Sequence, residues 1–380
     1  MYFVRVKIER YVKLFQRYGA RADTVPKISF WDTLQKLCEL NRLAFRLIKL
    51  PNIQNLMKAF VTGGTGFIGS HLADRLIQSD TYSEVRCLIR NNEKWLKDKN
   101  FTRINGDLDD LKALQQAVQD VDVVYHIAGR VKAPSYAELE HANVDATENL
   151  LRIAQKEGVP KVVLLSSLAA VGPSTDGPVT EESPMNPISN YGKSKKQMEQ
   201  ITHEVSDGET SITILRPPAV YGPREDQIYS FFKMVNKRIC PIIGDGERPR
   251  ISMVYVGDLV NGILDAAEQQ EAGVSTYFIT GKEIHTWNEI RGTTTKVLGK
   301  KAVPIYIKPK FVKKIAGTVE KAASFFVVYP VLNKEKAKEL ILEWTCTSEK
   351  AEREIGYTPE YSLGEGISRT IHWYQRHHWL

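Results

Sequence analysis

The stretch Met57-Lys58-Ala59-Phe60-Val61-Thr62-Gly63-Gly64-Thr65-Gly66-Phe67-Ile68-Gly69-Ser70 changes character twice. Lys58 to Thr62 is a short apolar run suited to a buried strand. From Phe67 onward the apolar residues Ile68, Leu72, Leu76 and Ile77 recur with helical spacing, with polar Ser70, His71, Asp74 and Arg75 between them. Glycines join the two, and each has a physical use. Gly63 permits a tight turn, Gly66 lets backbone N–H groups approach a pyrophosphate, and Gly69 lets helix and strand pack closely, with the anion on the helix N-terminus. Strand, turn and helix in that order read as a dinucleotide-binding unit rather than a surface loop. Thr62, Gly63, Gly66, Phe67, Ile68 and Gly69 are its candidate cofactor contacts.

The next strand, Glu84-Val85-Arg86-Cys87-Leu88-Ile89-Arg90, ends where the adenosine ribose lies in such a unit. An acidic residue there favours NAD. Arg90, followed by Asn91, Asn92 and Lys94, suits a 2′-phosphate, so NADP is the expected cofactor and NAD the alternative. After a third strand, Gly106-Asp107-Leu108 offers the Asp107 carboxylate and the Leu108 amide to an adenine edge. A fourth, Val121 to His126, runs into Ile127-Ala128-Gly129, where Ala128 is small enough to sit beside the cofactor. His126 reads as a packed strand-end residue rather than a catalyst or metal ligand.

A fifth strand, Lys161 to Leu165, delivers Ser166-Ser167 to its C-terminal end, where open parallel sheets put ligands. Tyr191 and Lys195, at i and i+4 of the helix opened by Tyr191-Gly192-Lys193-Ser194-Lys195, share a face. A phenol of ordinary pKa about 10 is a poor acid or base near neutrality, but a neighbouring ammonium and an oxidised nicotinamide favour its phenolate. Tyr191 could then move a proton while Ser167 hydrogen-bonds the substrate oxygen. Tyr-x-x-x-Lys alone is common on surface helices; here it follows a strand-end serine in a chain that already carries the dinucleotide turn.

Further motifs complete a set: Ser166-Ser167-Leu168-Ala169-Ala170-Val171-Gly172, and Leu215-Arg216-Pro217-Pro218-Ala219-Val220-Tyr221-Gly222-Pro223. With them the chain, from about Met57 to its C-terminus, resembles the extended short-chain dehydrogenase/reductase family. That family contains nucleotide-sugar epimerases and dehydratases, 3β-hydroxysteroid dehydrogenases and dihydroflavonol reductases. The resemblance implies Ser167, Tyr191 and Lys195 as catalytic triad, with Lys195 also holding the nicotinamide ribose. It places Pro217 to Val220 near the nicotinamide carboxamide and gives Asn143 a structural role. Dehydratases of this kind carry an acidic pair after the catalytic hydroxyl, where this chain has Leu168-Ala169. Sugar epimerases usually carry an Asn where Ala219 stands, and Arg-Asp-Phe where this chain reads Arg250-Ile251-Ser252 onward.

These departures point to hydride transfer between a nicotinamide and the alcohol or ketone of an apolar small molecule, with Tyr191 as acid/base. Trp344, Trp373 and Trp379 fit an apolar substrate lobe. A nucleotide-sugar 4-epimerase and a non-catalytic NAD(P)-binding scaffold are the alternatives. Strands alternate with helices to about Pro217, so the expected fold is α/β, a Rossmann doubly wound parallel sheet with a smaller C-terminal substrate lobe. Residues 57–217 and 251–282 are expected in the NAD(P)-binding domain, with returns to the sheet through 252–256 and 276–280. Residues 218–250 and 283–380 are expected in the lobe.

The 380 residues are 42% hydrophobic, enough for one large core and a smaller one. Cys38, Cys87, Cys240 and Cys346 are too scattered for a disulfide framework or a zinc site, and no other metal site is expected. With no signal-peptide pattern near Met1, a cytoplasmic location is expected. No apolar run reaches a membrane span. The lysine-bearing stretch from Lys308 into Ala322 to Leu332 reads as a packed lobe helix, with peripheral membrane contact as its alternative. The net charge of +7 lies wholly in residues 1–56, with 11 Lys+Arg and 4 Asp+Glu; the remaining 41 basic and 41 acidic residues cancel. Nucleic acid is therefore not an expected partner; a small-molecule substrate is, and a homodimer is the assembly considered. Residues 1–56 form a basic extension, expected either as a partner- or membrane-binding arm or as sequence upstream of a true start at Met57.

Overall fold

The sheet is centred on β1 (Met57–Thr62). The computed structural model describes residues 56–269, 271–312 and 334–380. The basic extension before Leu56 and the apolar stretch 313–333 lie outside the described residues. Beside β1 on one side are β2 (Tyr82–Ile89) and then β3 (Thr102–Asn105). On the other are β4 (Val123–His126), β5 (Lys161–Leu165), β6 (Ser211–Arg216) and β10 (Gly273–Phe278). All six pairings are parallel. The order reverses between β1 and β4, which opens a crevice at the strand ends where such sheets bind ligands.

The sheet is buried on both faces, which is why its strands read as continuous apolar runs. Along β1, Ala59 and Val61 pack with α1 (Phe67–Ile77) and α7 (Val256–Ala267), while Phe60 points into the opposite layer with α2 (Leu111–Val118) and α4 (Ala146–Lys156). The same period-2 split runs through β4, with Val123 and Tyr125 on one side and Val124 on the other. The helix carrying the candidate acid/base, α5 (Asn190–Val205), starts where the Ser189 side chain accepts a hydrogen bond from Gly192 N at 3.3 Å.

The stretch after Arg250 departs from expectation. β9 (Ile251–Tyr255) does not return to the main sheet but pairs with β7 (Ala219–Tyr221) and β11 (Ile284–His285) in a small sheet of its own. The edge of β6 is already taken by β10, in register from Gly273 opposite Ser211 to Phe278 opposite Arg216. A further cluster packs α6 (Tyr229–Asn236), α8 (Trp287–Leu298) and α11 (Leu363–Arg376) around Phe232, Ile290, Ile371 and Tyr374. Trp379 stacks on Tyr374 and Trp373 meets both edge-on, so those two tryptophans pack against this core.

A buried ion pair ties α5 to the strand ends. Arg216 Nη2 donates to Glu199 Oε2 at 2.6 Å and Nε reaches Oε1 at 3.1 Å. The Ser166 hydroxyl donates to the same carboxylate, and the guanidinium lies over the Phe278 ring. Removing one member of such a pair strands a buried charge, whereas replacing both with apolar side chains does not. Arg216→Met is expected to lower the unfolding free energy by about 3–5 kcal/mol, and Arg216→Met with Glu199→Met to cost clearly less than the two single losses added. Urea denaturation of the four proteins measures this, and strictly additive losses would contradict the coupling.

Candidate active site

The glycine turn is held by its own backbone. Gly66 N donates to Gly63 O at 2.9 Å, and α1 begins at once with no side-chain cap, leaving N-terminal amides of the helix for an anion. Gly63 sits at φ +72°, and a Cβ there would lie 2.7 Å from Ala128 N; a Cβ on Gly69 would lie 2.2 Å from Gly63 O. Both glycines are therefore required by close packing, and the turn forms the bare backbone cradle that a pyrophosphate needs. Phe67 and Ile68 open the helix, and Thr62, buried at the end of β1, accepts from Ala128 N at 3.3 Å. Arg90 is exposed just beyond β2. Asp107 and Leu108 are half-buried in the turn after β3, joined to the end of β2 through Gly106 N and Ile89 O at 3.3 Å. Pro217 O accepts from Leu168 N at 2.9 Å, and Val220 follows in β7, half-buried. The predicted contacts thus line the C-terminal ends of β1 to β6.

Ser167 and Tyr191 line one cavity, and Ser167 Oγ accepts from Ala169 N at 3.1 Å. Lys195 is buried beneath them. Its Nζ donates to Leu165 O at 2.7 Å and lies beside Gly129, where a Cβ would come within 3.2 Å. The electrostatics differ from the expectation that the ammonium pulls the phenol down. Burial pushes the Tyr191 phenol up to about 12, with Ser167 acting against it. Burial also holds Lys195 down at about 8, opposed by the Glu199 carboxylate. Desolvation outweighs pairing because the ammonium spends its hydrogen bond on the β5 carbonyl.

Thr147 and Ser194 have no distinguishing sequence signal, yet both join this site. Thr147 Oγ1 donates to Asn143 O at 2.7 Å and lies 2.9 Å from His126 Nε2, while Thr62 Oγ1 lies 2.7 Å from His126 Nδ1. Asn143 Nδ2 donates to Ser194 Oγ at 2.9 Å, and Ser194 Oγ donates to Tyr191 O at 2.8 Å. Asn143 stands in a π-helical turn, His141–Asp145, a local widening often found at functional sites. His126 is buried as expected. Burial, with the Lys195 charge, lowers its pKa to about 3, so it is neutral.

In front of Ser167 and Tyr191 lies a cavity of about 270 Å³. Leu139, Leu168, Pro218, Trp287, Leu342 and Trp344 form much of its wall, so Trp344 alone of the three expected tryptophans lines it. Lys132 and Arg250 contribute cations; Arg250 Nη2 lies 3.4 Å from Glu343 Oε2. Among the described residues, no group of three or more His, Cys, Asp or Glu is placed to hold a metal ion. Among the same residues, no helix is long and apolar enough to cross a membrane.

Sheet order, glycine turn and strand-end crevice define a Rossmann-type nucleotide-binding protein. The chain belongs to the NAD dependent epimerase/dehydratase family, which it matches over residues 59–280. Its homologues are of the extended short-chain dehydrogenase/reductase type, NAD-dependent oxidoreductases, epimerases and dehydratases. It is 31% identical to a putative UDP-glucose 4-epimerase of Methanocaldococcus jannaschii, over 82% of this chain and 97% of the relative. It is 27% identical to a ceramide reductase of Caulobacter vibrioides, over 84% of this chain and 95% of the relative. Among solved structures it resembles DesIV, a dTDP-glucose 4,6-dehydratase of Streptomyces venezuelae with NAD bound, at 26% identity and TM-score 0.68, covering 84% of this chain and 97% of that one.

Because Lys195 holds its proton less tightly folded (about 8) than unfolded (10.5), the unfolded chain binds more protons between these values, and stability from this group rises with pH across the window. The wild-type unfolding free energy minus that of Lys195→Met should rise by roughly 3 kcal/mol from pH 8 to 10.5. Urea denaturation across that range measures it; a flat difference would show that Lys195 titrates as an exposed lysine does.

Proposed function

We propose that the protein is an NADP-dependent oxidoreductase acting on the alcohol or ketone of a predominantly apolar small molecule. The observation that carries this reading is the composition of the cavity at Ser167 and Tyr191. Leu168 and Ala169 occupy the place of an acid/base pair, and Pro218, Ala219, Trp287 and Trp344 leave an apolar wall beside the reacting groups. The ceramide reductase relative has the same general chemistry in its name.

The bound nicotinamide supplies or accepts the hydride. The Gly63 to Gly69 turn would hold the dinucleotide's pyrophosphate, Arg90 its 2′-phosphate, Asp107 and Leu108 its adenine, and Ala128, Pro217 and Val220 its nicotinamide. The Ser167 hydroxyl hydrogen-bonds the substrate oxygen and orients it. Tyr191 gives that oxygen its proton in reduction and takes it back in oxidation. A neutral phenol at pH 7 is the correct form for giving a proton. Lys195, still cationic at pH 7, would hold the nicotinamide ribose.

A nucleotide-sugar 4-epimerase is the second reading, favoured by the M. jannaschii relative and by Lys132 and Arg250 in the cavity wall. A substrate diphosphate would have to compete with Glu343 for Arg250. A screen of hydrophobic ketones and UDP-sugars, read by NADPH absorbance and by sugar product, separates the two: net NADPH consumption supports the first, and turnover of a UDP-sugar with cofactor retained overturns it. On the substrate so found, Tyr191→Phe should lower kcat by about 10²–10⁴ with NADPH affinity unchanged. Arg90→Asp should move cofactor preference toward NADH by about tenfold or more, measured as the ratio of kcat/KM for the two cofactors; an unmoved ratio would remove Arg90 from the phosphate site.

A further inference from the structure

The ribbon formed by β8 (Ile239–Ile243) and β12 (Val303–Ile307) has one face made only of apolar side chains. The strands pair in parallel with Val303 opposite Ile239, Ile305 opposite Pro241 and Ile307 opposite Ile243, so these six share a face. One end of that face is covered, where Ile243 and Ile307 pack against Val312, Ile341 and Ala337 of α9 (Lys334–Glu339). The other end is open: Val303 is 67% exposed, Ile305 49% and Ile239 48%. Single exposed apolar residues are ordinary, but a contiguous sheet face of them marks an interaction surface.

Charge decides what fits there. Residues 229–243 contain Lys233, Lys237 and Arg238, and residues 296–312 contain Lys296, Lys300, Lys301, Lys308 and Lys310, with no aspartate or glutamate in either stretch. Lys237, Arg238, Lys301, Lys308 and Lys310 are exposed. Since residues 57–380 balance in charge, this is a local concentration rather than a share of general basicity. A second copy of the chain docked symmetrically would set these cations against their own images. An anionic bilayer offers an apolar layer and negative headgroups in the order this face requires.

We propose that the open end of the β8/β12 face docks on an anionic lipid bilayer, with Ile239, Val303 and Ile305 entering the headgroup boundary and the surrounding lysines and Arg238 meeting lipid phosphates. The helix that covers the other end of the ribbon, α9, also gives Glu335 and Glu339 to the cavity wall, so docking would bring the membrane near the substrate site. The surface stands whichever of the two reactions the site performs.

Flotation of the full-length protein with vesicles tests this, comparing phosphatidylcholine alone with phosphatidylcholine plus phosphatidylglycerol. Binding is expected to the anionic vesicles only and to weaken in high salt. Val303→Asp with Ile305→Asp, and separately Lys301→Glu with Lys308→Glu, should each reduce the bound fraction about tenfold or more, with unchanged thermal unfolding confirming that the variants fold. No binding by the wild type, or equal binding to neutral vesicles, would overturn the proposal. Undiminished binding by both variants would also overturn it and assign the attraction to the basic residues 1–56. A shift from dimer to monomer in the Val303→Asp, Ile305→Asp protein, without loss of vesicle binding, would give the face to a second copy instead.

Discussion

Thr62 at the end of β1 and the Tyr191 carbonyl at the start of α5 are far apart in sequence, yet a file of hydrogen bonds, buried up to Ser194, joins them through His126, Thr147, Asn143 and Ser194. The direction of the file follows from its ends. Thr147 spends its hydroxyl proton on Asn143 O, so it must accept from His126 Nε2–H; His126 Nδ1 must then accept from Thr62, whose oxygen receives the Ala128 amide. Only a neutral imidazole protonated on Nε2 satisfies every member, and the burial that drives His126 down to about 3 secures that form. A break in the file would leave a buried donor or acceptor unmet, at a cost of about 1–3 kcal/mol. The end of β1 and the start of α5 are thereby placed relative to each other by one network.

The parts of this arrangement that depend on local chain chemistry are legible in the sequence. The glycine turn is visible because backbone-to-backbone approaches such as Gly69 to Gly63 O tolerate no side chain, and the order of apolar runs conveys a sheet covered on both faces. Ser167, Tyr191 and Lys195 are recognisable because strand ends and helical spacing are local properties. The hydrogen-bond file is not, since threonine and serine are common everywhere and only the folded register of β1, β4 and α5 turns these into partners. The placement of β9 escaped for a related reason: its apolar pattern suits either sheet, and competition with β10 for the edge of β6 decides which it joins.

Electrostatics was not legible for the pair of Lys195 and Tyr191. Sequence spacing brings the two to one face of α5, whereas burial acts on both in the same sense, toward neutrality. A phenol near 12 and an amine near 8 favour a tyrosine that starts protonated, suited to giving a proton to a carbonyl oxygen. Both residues would have to act in the opposite sense during oxidation, so the resting state by itself selects neither direction.

Arg250 shows how the two candidate reactions differ physically. Arg250 is a partly exposed cation at the cavity wall, and a charged group beside it comes either from the protein or from the substrate. Here Glu343 stands beside Arg250, at 3.4 Å, and Arg248 approaches the same carboxylate at 3.7 Å. A diphosphate entering the cavity would displace that carboxylate and leave it facing the incoming negative charge. An apolar ketone would leave the cluster intact and gain from Leu342, Trp287 and Trp344 by burial. The cavity as built therefore requires the smaller rearrangement for a substrate without phosphate, which is the physical basis for preferring a reductase within a family that contains both.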